Sequence, residues 1–256
     1  MYFDSLEGKT GKDRVDRLNK SMEEFFGGEP FLIKRHFEIL EGLVEKGRAK
    51  DITLSYNSNG SIYPEHALPI WKEFKDVQVF FSIDGVGERF NYIRHPQDFD
   101  QVMENFWKFK QHDFIRTNLF YTVGIFNAFY MDELLNYDIE HNLNCDIHFN
   151  MVYVPEQVSA KALPLKAKEA LTEKFKGHND PRIQSTLNFI NNEHYENMME
   201  LFVNHTTFSD KYRNESIADT FPELYKHVKP WFEKAEAMEL VNTMELIGID
   251  KKNEKL

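Results

Sequence analysis

Between Glu23 and Pro155 short apolar runs alternate with longer amphipathic stretches, and this alternation leaves the chain few folds to choose from. The runs are Glu23–Phe26, Asp51–Asn59, Val77–Asp84, Ile115–Ile125 and Cys145–Val154. Between them, Phe31–Lys46, Pro64–Phe74, Phe99–Lys110 and Met131–His141 space their apolar residues as a helix does. Strands alternating with helices predict right-handed crossovers and a parallel sheet or barrel. From Ala160 onward the strand pattern stops. Leu163–Lys176, Ile183–Asn204 and Pro222–Val241 read as helices there, punctuated by Pro164, Pro181, Pro222 and Pro230. The expectation is an α/β region over residues 1–155 and a helical region over 156–256, with a boundary near Pro155–Ser159.

Buried parallel strands are ordinarily apolar on both faces, whereas these strands have one polar face. Because side chains alternate along a strand, Ile52, Leu54 and Tyr56 oppose Thr53, Ser55, Asn57 and Asn59. Likewise Val77, Val79, Phe81 and Ile83 oppose Gln78, Phe80, Ser82 and Asp84, and Cys145, Ile147, Phe149 and Met151 oppose Asp146, His148 and Asn150. An incompletely closed barrel whose inner wall holds a polar ligand accounts for this pattern; a half-solvated sheet is the plainer alternative. The 23 Phe and 11 Tyr are ample for a core. The stripes Phe37, Leu40, Leu43 and Met198, Met199, Phe202 have helical spacing and belong to it. No run approaches the roughly 18 apolar residues of a membrane span, and residues 1–20 are too charged for a secretory signal. The net charge of −11 argues against a dedicated nucleic-acid groove. A single cysteine, Cys145, excludes an internal disulfide framework and fits a reducing compartment. A soluble, cytoplasmic protein is therefore expected.

The sharpest local signal is Phe25-Phe26-Gly27-Gly28-Glu29-Pro30, a strand running into two glycines that permit close approach of a ligand to the main chain. Pro30 suits the first position of the following helix, and Glu29 places a carboxylate able to orient an amino group. A plain strand-to-helix turn has the same composition. The next strand ends in Asn57-Ser58-Asn59-Gly60, at the end of a parallel strand where ligands collect. Ser82-Ile83-Asp84-Gly85 closes the third, with Arg94 following. A hydroxyl and a guanidinium suit a carboxylate, although an arginine paired with Asp84 or Glu88 is the commoner arrangement.

This ordered set resembles the radical S-adenosylmethionine (radical SAM) enzymes, and more narrowly their twitch-containing or SPASM-like branch, over about Arg14 to Pro164. Asp210-Lys211-Tyr212-Arg213-Asn214-Glu215 and Phe221-Pro222-Glu223-Leu224 are similar, more loosely, to the closing stretch of that branch. The resemblance implies a partial parallel (β/α)6 barrel, here lacking its first strand and followed by a helical extension. By the same resemblance Gly27, Gly28 and Glu29 hold the amino group of S-adenosylmethionine, and Ser82 and Arg94 its carboxylate. Asn59 and Asp84 lie near the ribose or substrate, and Leu119–Ile125 and Asn150–Val154 flank the adenine. The implied chemistry is one-electron reductive cleavage of the sulfonium by a four-iron four-sulfur (4Fe–4S) cluster, releasing a 5′-deoxyadenosyl radical that abstracts a substrate hydrogen. The implied partners are an electron donor and a peptide, protein or small-molecule substrate.

One departure is large. The family's cluster motif, Cys-x3-Cys-x2-Cys, precedes the two glycines, and this sequence has no cysteine before Cys145. Asp13–Lys20 reads as the end of the helix that follows the family's first strand, so the chain reads as an N-terminally truncated copy. His141-x3-Cys145-x2-His148 imitates the spacing, but thiolates are the usual cluster ligands and Cys145 and His148 fall on opposite strand faces; no metal ligand is assigned. Gly8-Lys9-Thr10 is not a phosphate loop, because Phe3 stands where the first glycine belongs. The alternatives are a cluster-less module that binds S-adenosylmethionine or a partner, and a cofactor-free aldolase-like barrel, for which no acid–base pair stands out.

Overall fold

The computed structural model describes residues 22–25 and 29–246, with side chains from 29 to 238. Gly27, Gly28, Asp13–Lys20, Gly8–Thr10 and the charged tail Asp250–Leu256 lie outside the described residues. Five strands, β1 (Met22–Phe25), β2 (Thr53–Ser58), β3 (Asp76–Ser82), β4 (Ile115–Val123) and β5 (Ile147–Met151), form one sheet in sequential order. β1, β2, β3 and β4 pair in parallel, with Glu24 beside Ser55, Tyr56 beside Val79, and Val79 beside Thr117. Along β4 and β5 the register advances the same way: Leu119 N–H donates to Asp146 C=O, and Val152 N–H donates to Val123 C=O. The fold is thus α/β with a parallel sheet, as the alternation requires.

The crossovers are α1 (Lys34–Glu45), the short α2 (Leu68–Trp71), α3 (Glu88–Ile93), α4 (Phe99–Lys110) and α5 (Glu133–His141). The predicted helix over Pro64–Phe74 shrinks to α2 and a 3-10 turn, because Pro69 is accommodated only in a helix's first turn. After β5 the described chain is helical: α6 (Leu165–Lys174), α7 (Pro181–Asn191), α8 (Met199–Arg213), α9 (Ile217–Thr220) and α10 (Pro222–Leu246).

One expectation for this region is corrected and one is met. The single helix over Ile183–Asn204 is two helices, with Asn197 at φ 61° between them. The buried Lys168 ammonium stabilises the break by donating to the carbonyls of Ile190 and Glu193. α10 runs through Pro230, as the helix expected over Pro222–Val241 does. Burying Leu224, Val228 and Phe232 along one face outweighs the one hydrogen bond the proline forfeits.

The chain divides into two compact units, each assembled from three segments. The first comprises Met1–Ile83, Pro96–Tyr121 and Leu143–His148, and its core lies on the apolar side of the sheet. Leu54, Tyr56, Val79, Phe81, Leu119 and Tyr121 are buried there beneath Phe37 and Leu40 of α1 and Phe106 and Phe109 of α4. The second comprises Asp84–His95, Thr122–Asn142 and Phe149–Leu256, with a core that includes Phe90, Phe129, Ile183, Phe202 and Phe221. The boundary expected near Pro155–Ser159 falls inside this second unit.

Candidate functional site

In the first unit the polar strand face is present and half-accessible. Ser55 stands beside Gln78 and Gln78 beside Arg116; Asn57 stands beside Phe80 and Phe80 beside Asn118; Ser82 stands beside Phe120. Along β3 every second residue is fully buried and the alternating set, Asp76, Gln78, Phe80 and Ser82, is only partly covered. Phe80 and Phe120 stack with centroids 4.6 Å apart, and the His148 ring lies 5.7 and 5.5 Å from them. The face therefore carries an aromatic step among its amides and hydroxyls. At its other end Arg116 pairs with Asp76.

Glu29 is buried and acts at once as a cap and a tie. Its carboxylate accepts from Phe31 N–H at 3.3 Å, capping the 3-10 turn Pro30–Leu32, in which Pro30 takes the first position as expected. It also accepts the Ser58 hydroxyl, at 3.0 and 3.1 Å to its two oxygens, and Asn59 N–H at 2.9 Å. One side chain thus binds the segment leaving β1 to the end of β2. Burial pushes the Glu29 carboxyl above its ordinary value, against the pull of these donors. Asn59 Oδ1 accepts Ser61 N–H at 2.9 Å, closing the turn on itself. Ser82 is the last residue of β3 and is half-buried.

In the second unit Asp84 is buried and makes the contacts that order its surroundings. Arg94 donates to Asp84 Oδ2 through Nε at 2.6 Å and Nη2 at 2.5 Å, while Thr122 N–H donates to Oδ1 at 2.8 Å. Burial drives the Asp84 carboxyl upward; Arg94 and the Thr122 N–H oppose it. Arg94 caps the C-terminal end of α3. Gly85 permits the turn between them, since a Cβ there would lie 2.8 Å from Phe90 N. Asn127 completes the group: it donates to the carbonyls of Asp84 and Thr122, both at 2.9 Å, and accepts Gly124 N–H at 2.8 Å.

The structure therefore joins Glu29 to Asn59 and Asp84 to Arg94, each pair within its own unit. Ser58, Thr122 and Asn127 were not singled out from the sequence. Ser58 lies inside the motif Asn57–Gly60 and Thr122 inside the stretch Leu119–Ile125, while the turn Gly124-Ile125-Phe126-Asn127 carries the signal for Asn127. Among the described residues no group of three or more His, Cys, Asp or Glu is placed to hold a metal ion. Cys145 is half-buried, outside β5, and His141 packs its ring on Tyr137 at 4.1 Å.

Comparison with known proteins gives a partial likeness. Among curated proteins none matches the sequence. Similar solved structures include native anSMEcpe with bound AdoMet, 21% identical at a TM-score of 0.47, covering 69% of this chain and 50% of that one. Another is native anSMEcpe with bound AdoMet and Cp18Cys peptide, 22% identical at a TM-score of 0.46, covering 62% and 48%. This chain spans about half the length of those structures. A family model described as the radical SAM superfamily matches residues 12–137, the stretch that holds β1, β2, β3, β4 and both polar clusters. Over residues 12–137, just under half of its length, this chain is similar to the radical SAM superfamily.

Proposed function

We propose that this chain is the S-adenosylmethionine-binding part of a radical SAM enzyme of the twitch- or SPASM-like branch, with residues 1–155 as core barrel and 156–256 as helical region. The observation that carries the reading is the placement of polar groups at strand ends, where parallel α/β folds collect ligands. Ser58 and Asn59 at the end of β2 are tied to Glu29, Ser82 ends β3, and Asp84 with Arg94 follows it. In this reading the Gly27–Gly28–Glu29 turn receives the amino group, through main-chain atoms because the Glu29 carboxylate is engaged internally. Ser82 and Arg94 receive the carboxylate. Asp84 takes Nε and Nη2 of Arg94, so Nη1 is the edge offered to the ligand. Asn59 and Asp84 are assigned to the neighbourhood of the ribose or substrate.

S-adenosylmethionine, when bound, supplies the superfamily's chemistry: one-electron reductive cleavage to a 5′-deoxyadenosyl radical that takes a substrate hydrogen. The residues of this chain do not fit the 4Fe–4S cluster, because clusters of that type take several thiolates and the sequence holds one. The roles derived for its side chains are accordingly those of binding and orientation. A peptide, protein or small molecule is the proposed substrate class, with an electron donor as partner of the active enzyme and the cytoplasm as location. No helix among the described residues is long and apolar enough to cross a membrane.

The second reading is a cluster-less module that binds S-adenosylmethionine or a protein partner without catalysis. Calorimetric titration with S-adenosylmethionine tests the first. Arg94→Ala weakens binding by about 1.5–3 kcal/mol, the scale of a hydrogen bond to a charged group. Arg94→Lys, which keeps a cation beside the buried Asp84, controls for lost folding. Unchanged affinity in both variants removes Arg94 from the site. No binding by the parent chain moves the partner-binding module ahead.

A further inference from the structure

Arg94 is fixed at its guanidinium by Asp84, but its backbone ends a helix of only six residues, α3, too short to hold itself. A separate set of side chains, from the end of α8 and the turn after it, holds the residues on both flanks of Arg94. On one flank the Tyr92 hydroxyl donates to Asp210 Oδ1 at 2.5 Å, and Arg213 Nη1 donates to the Tyr92 carbonyl at 3.3 Å. On the other, His95 Nδ1 lies 3.0 Å from Glu215 Oε1. The set is braced internally. Asp210 Oδ2 accepts Ile217 N–H at 2.8 Å, Glu215 N–H donates to the Asp210 carbonyl at 3.0 Å, and Arg213 lies 3.8 Å from Glu215. Asn214, at φ 55°, ends α8 and turns the chain so that Asp210 and Glu215 both face α3. The Tyr92 ring is held between Phe126 and Phe221, at 5.5 and 5.1 Å.

We infer that Asp210, Arg213 and Glu215 are positioning residues that clasp residues 92–95 and thereby aim the Arg94 side chain. The inference rests on the proposed role of Arg94 in holding a ligand carboxylate. Asp84 alone fixes one end of a long, rotamer-rich side chain; fixing the backbone on both flanks removes most of the remaining freedom. A carboxylate-binding fork is useful only when its free edge points at the ligand before the ligand arrives. The clasp makes that orientation depend on the C-terminal helices, which contribute no other residue to the proposed site.

Hydrogen exchange of the Arg94 Nε–H, followed by nuclear magnetic resonance in the 15N-labelled chain and assigned by its loss in Arg94→Lys, tests the clasp without any ligand. Tyr92→Phe removes the donor to Asp210 and keeps the ring; Glu215→Gln weakens the His95 contact. Each raises Nε–H exchange by about tenfold, the scale of one lost charge-assisted hydrogen bond. Ile183→Val, a conservative change in the buried face of α7, serves as a control of comparable stability in urea. Unchanged exchange in both variants overturns the inference, and so does an equal rise in the control, which marks general loosening. An S-adenosylmethionine affinity unaffected by Arg94→Ala overturns the cofactor assignment alone, because the exchange measurement does not involve the ligand.

Discussion

His36, Tyr56 and Trp71 form a polar chain inside the first unit. The Trp71 indole N–H donates to the Tyr56 hydroxyl at 3.0 Å, and that hydroxyl lies 2.9 Å from His36 Nε2. The Tyr56 hydroxyl accepts the indole proton, and the histidine tautomer sets which of Tyr56 and His36 Nε2 donates to the other. Burial pulls His36 from its ordinary 6.5 down to about 4 and pushes the Tyr56 hydroxyl up. The consequence for stability has a definite sign. The unfolded chain takes the histidine proton first, so the contribution is complete above about pH 6.5 and falls as pH drops toward 4, by up to about 3 kcal/mol. His36→Gln keeps a side-chain hydrogen-bonding group for Tyr56 and does not titrate. Urea unfolding across this range should show the parent chain losing stability relative to the variant; parallel curves would remove His36 as the cause.

At the scale of elements, Gly60 shows how tightly the turn after β2 is set. It adopts φ +75°, and an added Cβ would lie 2.6 Å from Val102 Cγ1 and 2.8 Å from Phe81 Cδ1. Its carbonyl accepts from the buried Asn105 amide at 2.9 Å. Gly60→Ala is expected to destabilise the chain by about 1–3 kcal/mol, through strain at positive φ and overpacking; an unchanged urea midpoint would contradict this. The strands were legible in the sequence because alternation in Val77–Asp84 and Ile115–Ile125 reports burial directly, and α4 has the predicted bounds, with Asp98 capping its start. The α7–α8 break was hidden because its cause, the Lys168 ammonium, lies far from it in sequence. The helix over Pro222–Val241 was legible despite Pro230, because Leu224, Val228 and Phe232 give it one buried face. In the candidate site, residues ending strands were visible as motifs. Their internal pairings were not, since one carboxylate reads the same whether it awaits a ligand or, like Glu29, satisfies its neighbours' donors.

For the whole molecule, the single thiol sets a test of the iron chemistry. Anaerobic reconstitution of this 256-residue chain with ferrous iron and sulfide should leave no visible cluster absorbance after desalting, because one Cys provides too few thiolates. Retained absorbance with four irons per chain would show that ligands of another kind suffice. The interleaving of the two units bears on something else, the order in which the protein can be made. A ribosome delivers the chain from its N-terminus, yet the first unit waits for Leu143–His148, and two segments of the second emerge before then. At about 5–20 residues per second, roughly 3–13 s separate the emergence of Ile83 from that of His148. Through that interval the early strands have no complete core to enter, and their apolar faces depend on chaperones or on speed.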